Sequence, residues 1–449
     1  MVKRIGRFFA PLPALPVTLP AVEVAGKYRL YKWSVFISAT LGYSLFYVCR
    51  LSISVVKKPL VDENVFSAGQ LGTIGSALFF SYAVGKLVNG FFSDRTNVNR
   101  FISFGLLLTA LCNIALGFFP LFIVFMVLWG LSGWFQSLGA APCVVALTRW
   151  LKKSERGTFY GVWSASHHIG KAITFSLLPL LISLGGWQWG FWGAGLVGIV
   201  GAVIVKLFLY DSPESKGLPA VEQIELNADS DSSEADNSVA ASQKAIVRNP
   251  YIWLLAISSA LMYISRYAIE SWGIFYAQAE KGYTNIEASE VIGMTAISGI
   301  FGTALSGFVS DKLFKGSRNM PALIAGLLNI FSISLFLFYP NGHFWVDAMS
   351  MIIHGFAIGV LITLIGGLMA VDLAPKKAAG AAMGLIGIAS YIGAGVQELI
   401  SGYLIGSSKQ TINGVVSYDF SVSKYFWIAA ALISVFLALF VWRAKKHDD

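Results

Sequence analysis

Twelve apolar runs, each long enough to cross a lipid bilayer, leave this chain little freedom of fold. They lie at about 33–56, 70–92, 101–119, 121–147, 159–183 and 187–209 and, after a polar stretch, at about 251–279, 289–310, 321–339, 343–370, 378–404 and 424–442. A spanning helix needs about 20 apolar residues. Lipid offers no partner to exposed backbone N–H and C=O groups, so each run predicts a helix. Of the 449 residues, 56% are hydrophobic and only 13% charged, against about 25% charged in a soluble domain. That excludes a soluble enzyme, a disordered chain and a nucleic-acid binder, in spite of a net charge of +9.

The predicted fold class is an all-α integral membrane protein with twelve transmembrane helices in two pseudo-symmetric six-helix bundles. The expected domains are an N-terminal segment at 1–32, a first bundle at 33–209, a linker at 210–250, a second bundle at 251–443 and a tail at 444–449. Lys3, Arg4 and Arg7 look like the start of a signal peptide, but Pro11, Pro13, Pro16 and Pro20 interrupt the apolar run. A mobile basic lead-in is the expectation there, with an interfacial amphipathic piece as its rival. The linker contains Asp229-Ser-Asp-Ser-Ser-Glu-Ala-Asp236, an acidic, Ser-rich composition expected to stay disordered. Cys49, Cys112 and Cys143 all fall in apolar runs and are read as packing residues.

Orientation follows from the basic residues. The loops on the linker side carry Arg95, Arg100, Arg149, Lys152, Lys153, Arg156, Lys216, Lys244, Arg248, Lys312, Lys315, Arg318, Lys376 and Lys377. The opposite loops are assigned only Lys57, Lys58, Lys281, Lys409 and Lys424. The positive-inside rule then places both termini in the cytoplasm, and an even number of spans requires the same.

The two halves repeat. Gly85-Lys-Leu-Val-Asn-Gly-Phe-Phe-Ser-Asp-Arg95 aligns with Gly302-Thr-Ala-Leu-Ser-Gly-Phe-Val-Ser-Asp-Lys312, and Arg50 aligns with Arg266. Two parallel repeats with a site between them near the midplane imply an alternating-access carrier. Asp94, Arg95, Asp311 and Lys312, at the linker-side ends of the second helix of each half, are assigned to the inward gate; a plain surface turn is the rival reading.

Ionisable groups at membrane depth are costly and usually face a cavity or a partner. The spans contain Arg50, Lys86 and Lys171 in the first half and Arg266, Glu270 and Glu398 in the second. Arg266 lies too far from either end of its span to reach water along lipid. Arg50, seven residues before Lys57, has snorkelling as its rival reading. Two guanidinium forks from opposite halves suit a tetrahedral oxyanion, above all phosphate. If all six groups share one cavity, their net charge of +2 matches a phosphate-monoester dianion. Glu270, four residues after Arg266, is expected as its intrahelical partner and joins the conformational set, with proton carriage as the alternative. Glu398 is a candidate partner for Lys171. His167 and His168 point to different faces and form no metal pair; His167, four residues before Lys171, is the candidate for the cavity. Tyr43, Tyr47, Tyr263, Tyr267, Tyr391 and Gln397 are candidate hydroxyl-binding groups, with packing as the rival role. No matched Asp pair, Cys–His arrangement or nucleotide motif occurs in the spans, so an enzyme or pump is not expected.

Several segments together carry a family resemblance: Gly42-Tyr-Ser-Leu-Phe-Tyr-Val-Cys-Arg50, Tyr82-Ala-Val-Gly-Lys86, Ser93-Asp-Arg-Thr-Asn97, Ser166-His167, Asn249-Pro-Tyr-Ile-Trp-Leu254 and Arg266-Tyr-Ala-Ile-Glu-Ser-Trp272. The chain resembles the organophosphate:phosphate antiporters of the major facilitator superfamily, nearer the hexose-6-phosphate transporter and sensor branch. The resemblance implies that Arg50 and Arg266 bind phosphate, that Lys86 and His167 assist, and that inorganic phosphate is exchanged for a phosphate ester such as glucose 6-phosphate. Lys171 and Tyr47 complete the expected substrate-binding set. The expected setting is a monomer in the inner membrane, with small phosphates as ligands and no cofactor, metal or nucleic acid. A membrane sensor signalling to a partner kinase is the alternative. Three charges usual in the family are replaced together, by Leu51, Ser271 and Ala296, which is coherent because losing one alone would strand a buried charge.

Overall fold

The structure is a computed structural model and describes residues 8–18, 20–93, 95–221, 246–315, 317–374, 379–412 and 415–441. Twelve helices among them are long and apolar enough to span a membrane. They are α1 (Ala21–Asp62), α2 (Ala68–Ser93), α3 (Val98–Leu116), α4 (Phe122–Trp150), α5 (Lys153–Gly185) and α6 (Gln188–Phe208) in the first half. The second half holds α7 (Pro250–Ala279), α8 (Asn285–Lys312), α9 (Asn319–Phe338), α10 (Phe344–Leu373), α11 (Ala379–Ser407) and α12 (Ser421–Val441). "Linker face" below means the side where α6 ends and α7 begins; "far face" means the other.

Polar side chains set several helix starts. Asn97 accepts the Arg100 amide at the start of α3 and Asn249 accepts the Tyr251 amide at the start of α7, where Pro250 occupies a position that needs no N–H. Thr284 and Glu287 cap α8 reciprocally. The turn from α5 to α6 passes through Gly186 at φ +84°, a conformation suited to glycine.

Packing reproduces the sequence repeat. In the first half α2 packs on α4, α3 on α6, and α1 on α5 and α6; in the second, α8 packs on α10, α9 on α12, and α7 on α11 and α12. Across the bundles α2 meets α11, α5 meets α8 and α1 meets α7. These are the contacts expected of a two-fold axis along the membrane normal.

The bundles are pressed together at the far face. A Cβ on Gly72 of α2 would lie 2.7 Å from the Gly402 Cα of α11, so only glycines permit this approach. Asn285 at the start of α8 donates to the Val55 carbonyl of α1 at 2.9 Å, joining the halves there too. Toward the linker face, Gly90 of α2 and Gly380 and Gly384 of α11 have open space where a Cβ would sit.

Several elements differ from expectation. The first helix begins at Ala21 rather than near residue 33 and continues to Asp62. It thereby takes Lys57 and Lys58 out of the loop assigned to them. The described part of the N-terminal lead-in is docked, not mobile: the Phe8 carbonyl accepts from Arg100, the Phe9 carbonyl from the Asn97 amide, and the Leu12 amide donates to Asp211. An antiparallel hairpin, β1 (Lys409–Ile412) and β2 (Val415–Tyr418), joins α11 to α12. Asn413-Gly414 between β-branched residues was its sequence signal. Two spans are not uniform: α5 breaks at Ala165, and α10 carries a π-helical segment, Leu364–Leu368. Cys49, Cys112 and Cys143 are buried and free, as expected of packing residues. The acidic linker stretch 229–236, Lys376 and Lys377 lie outside the described residues.

The glycine contact gives a direct test. Gly402→Leu should overpack the α2–α11 seam and cost about 1–3 kcal/mol, seen as a lower melting temperature in detergent. Gly384→Leu, at the open end of the same helix, should shift stability by no more than about 0.5 kcal/mol.

Candidate functional site

Two buried arginines meet the bundle interface from opposite sides. Arg50 on α1 is 2% exposed and Arg266 on α7 is 1% exposed, so snorkelling does not account for Arg50. Its Nε donates to Gln136 Oε1 of α4 at 2.7 Å, and its Nη1 to the Tyr391 hydroxyl of α11 at 3.3 Å. The guanidinium carbon lies 4.6 Å from the Tyr47 ring centre and 4.3 Å from that of Tyr82, cation–π contacts that hold the fork flat without occupying all its N–H groups. Lys86 of α2 places its ammonium 5.4 Å from the centre of the Tyr391 ring.

Arg266 is built differently. Its Nε donates to Glu270 Oε1 at 3.0 Å, one turn along the same helix. Lys171 of α5 donates to the same oxygen at 2.5 Å, and to Thr295 of α8 at 3.5 Å. Glu270 is thus the intrahelical partner expected, and it also ties the bundles together. The suggested pairing of Lys171 with Glu398 is not observed, because Glu398 lies nearer the far face. Tyr263 and Tyr267 lie 5.3 and 5.1 Å from the Arg266 guanidinium. Tyr263 and Tyr391 are 5.5 Å apart, so a run of ring contacts links the surroundings of the two arginines.

Each arginine keeps a buried Nη2 without a partner among the described residues. A buried unsatisfied donor costs more than a satisfied one returns, and a charged fork is worse. His167 adds a third such group. Its Nδ1 lies 2.6 Å from the Ser164 carbonyl, its ring 5.6 Å from Tyr47, and its Nε2 is buried and unpartnered. His168 instead packs across the interface, with Nε2 3.2 Å from Thr303 of α8. The structure therefore brings Arg50, Lys86 and Tyr47 together on one side and Arg266, Glu270, Lys171 and His167 on the other, with the Tyr47 ring 5.6 Å from that of His167. Gln397 donates to Ser401 within α11, and its Oε1 is buried without a partner among the described residues.

The six spanning charges do not share one cavity. Glu398 pairs with Lys57, which sequence reasoning had placed in a loop; Lys57 Nζ is 2.8 Å from Glu398 Oε2, and both are fully buried. Removing Glu398 from the set leaves Arg50, Lys86, Lys171 and Arg266 against Glu270, a net of +3 rather than +2. A narrow crevice between the bundles is lined by Arg50, Gly75, Phe79, Tyr267, Ser271 and Glu398. Gln136, Tyr82 and Lys57 were missed in sequence. Lys57 could have been found from its spacing, since seven residues from Arg50 is two helical turns on the same face.

At the linker face Asp311 pairs with Arg318 at 2.5 Å, and Arg318 also lies 3.4 Å from Asp372 at the end of α10. Arg95 and Lys312 are exposed there. Asp94 lies outside the described residues. Near its loop Arg149 pairs with Asp211 at 2.6 Å and donates to the Thr96 carbonyl.

Comparison with known proteins follows this geometry. The Major Facilitator Superfamily profile matches residues 36–397. A probable hexose phosphate transport protein of Chlamydia trachomatis serovar D is 33% identical over 95% of this chain and 94% of its own length. The membrane sensor protein UhpC of Escherichia coli is 31% identical over 86% and 88%. Among solved structures, a bacterial homologue of the human lysosomal transporter Spinster, inward-facing and unoccupied, superposes with a TM-score of 0.70 at 18% identity, covering 92% of this chain and 97% of that one. The chain is a multi-pass membrane protein with the fold of a transporter. It belongs to the Major Facilitator Superfamily, and within it to the organophosphate:phosphate antiporter branch.

Leu51, 2% exposed beside Arg50, stands where relatives are expected to carry a lysine. Both nearby carboxylates, Glu270 and Glu398, already have cations. Leu51→Lys should therefore destabilise the protein by several kcal/mol and lower its melting temperature; a stability equal to wild type would show that a free acceptor exists.

Proposed function

We propose that the chain is a secondary transporter that exchanges inorganic phosphate for an organic phosphate ester, with a hexose 6-phosphate as the organic substrate. The observation that carries this reading is the pair of unpartnered Nη2 groups on Arg50 and Arg266. A phosphate bridging the two forks would satisfy both with charge-assisted hydrogen bonds. Lys86, Lys171 and His167 would add attraction, and Tyr47, Tyr263 and Tyr391 would face the organic part. The hexose phosphate assignment of the Chlamydia relative supports the ester class.

Exchange follows from charge. An empty site of net +3 faces like-charge repulsion if the bundles close around it, so the carrier reorients when an anion is bound. The glycine-packed far face fits a carrier closed on that side. Asp311, with Arg318 and Asp372, and Arg95, Lys312 and Asp94 would act in closing the linker face. Glu270 would release Arg266 to the ligand while keeping Lys171. The excess of basic residues in its loops supports a linker face turned to the cytoplasm, with the carrier in a bacterial inner membrane. A sensor that binds the same ligand and signals to a partner protein is the second reading, favoured by the similarity to UhpC.

The test is exchange in proteoliposomes loaded with phosphate. Wild type should take up labelled phosphate, and glucose 6-phosphate should compete best among a panel of esters. Arg50→Lys and Arg266→Lys should each lose roughly ten- to a hundredfold in exchange, the weight of a lost charge-assisted hydrogen bond, while still inserting. Ligand binding without exchange would favour the sensor; full exchange in both variants would contradict binding by the two forks.

A further inference from the structure

The crevice beside Arg50 borders a charged cluster that the central site does not use. Lys57 of α1 is 0% exposed, and all the contacts that fix its ammonium come from the other bundle. It donates to Ser271 Oγ of α7 at 2.7 Å and to Glu398 Oε2 of α11 at 2.8 Å. It also stands 3.8 Å from the Trp272 ring centre. Glu398 has further donors of its own: the Ser271 hydroxyl on Oε1, and Trp272 Nε1 on Oε2 at 2.9 Å.

We infer that Lys57 is a second station for the transported anion, between the far face and Arg50, and that Glu398 masks it while that face is closed. The inference rests on the carrier reading above. Arg50 and Lys57 lie on one face of α1, two turns and about 10 Å apart. Arg50, Ser271 and Glu398 all line the crevice, and the last two hold the Lys57 ammonium. An anion entering from the far face therefore passes Lys57 before it reaches Arg50.

Opening that face separates α1 and α2 from α7 and α11, so the ion pair must break. The two partners then fare unequally. Glu398 keeps Ser271 and Trp272, which belong to its own bundle. Lys57 loses every partner just described and becomes a bare ammonium at the mouth of the path. Such a group attracts and holds an oxyanion. On closure Glu398 reclaims the lysine and displaces the anion toward Arg50 and Arg266.

Two variants separate the cation from the ion pair. Glu398→Gln and the double variant Lys57→Gln/Glu398→Gln both abolish the pair, but only the first keeps the ammonium. Phosphate exchange is measured in proteoliposomes with phosphate varied on each face in turn. The half-saturation concentration at the far face should be about tenfold lower in Glu398→Gln than in the double variant, the weight of one charge-assisted hydrogen bond. Values at the linker face should agree within about twofold. Equal far-face values overturn the assignment of Lys57. Should Glu398→Gln fail to insert, the swap Lys57→Glu/Glu398→Lys keeps the pair but puts a carboxylate on the path. Its far-face half-saturation should rise about tenfold, and an unchanged value overturns the assignment. Absence of phosphate exchange in the unaltered protein would instead overturn the carrier reading itself.

Discussion

A charge at membrane depth must find a partner, and this chain places the partners across the seam between its two bundles. Lys171 and Lys57 belong to the first bundle; Glu270 and Glu398, which receive them, belong to the second. The sign never crosses over in these two pairs. The seam is therefore attractive in the closed form, and opening it unpairs buried ions. Side-chain charge, more than apolar area, distinguishes this seam from the lipid-facing surface, because lipid tails compete on equal terms for apolar surface.

Arg50 and Arg266 depart from that scheme. Each meets an aromatic wall and a single strong acceptor, Gln136 or Glu270, and each retains an idle Nη2. The tyrosines do two things here. Their faces hold the guanidinium planes through cation–π contact, and their hydroxyls supply no competing charge. A carboxylate at Tyr391 would have neutralised Arg50 permanently. The site is thus cationic by construction, with Glu270 as its one built-in counter-charge.

Much of this architecture was legible in the sequence because bilayer thickness converts directly into run length, and because the repeat placed Arg266 opposite Arg50. What escaped detection was pairing. Glu398 and Lys57 are 341 residues apart, and no local pattern reports their meeting. Lys57 was lost for a second reason: Lys57-Lys58-Pro59 reads as the end of a helix, yet α1 continues through Pro59. Gln136 and Tyr82 were overlooked because a neutral polar residue or tyrosine in a span usually packs. Their relevance comes only from the arginine beside them. The hairpin after α11 did have a local signal, but a helix-length criterion does not look for it.

The replaced charges make sense once the pairing is known. Where relatives are expected to carry an acid, Ser271 supplies a hydroxyl that accepts from Lys57 and donates to Glu398. An acid there would set a second carboxylate against Glu398, with Lys57 as the cation between them. Ala296 is fully buried beside Thr295, which already accepts from Lys171; an acid at 296 would compete with Glu270 for that lysine. Leu51 fills apolar space next to Arg50, and the basic function it lacks reappears two turns along the same helix. The charge network of this chain therefore includes a pair toward the far face. That placement leaves the central arginines with few counter-ions around them, and it makes the closure of the far face, rather than the empty site, the place where carboxylate charge is concentrated.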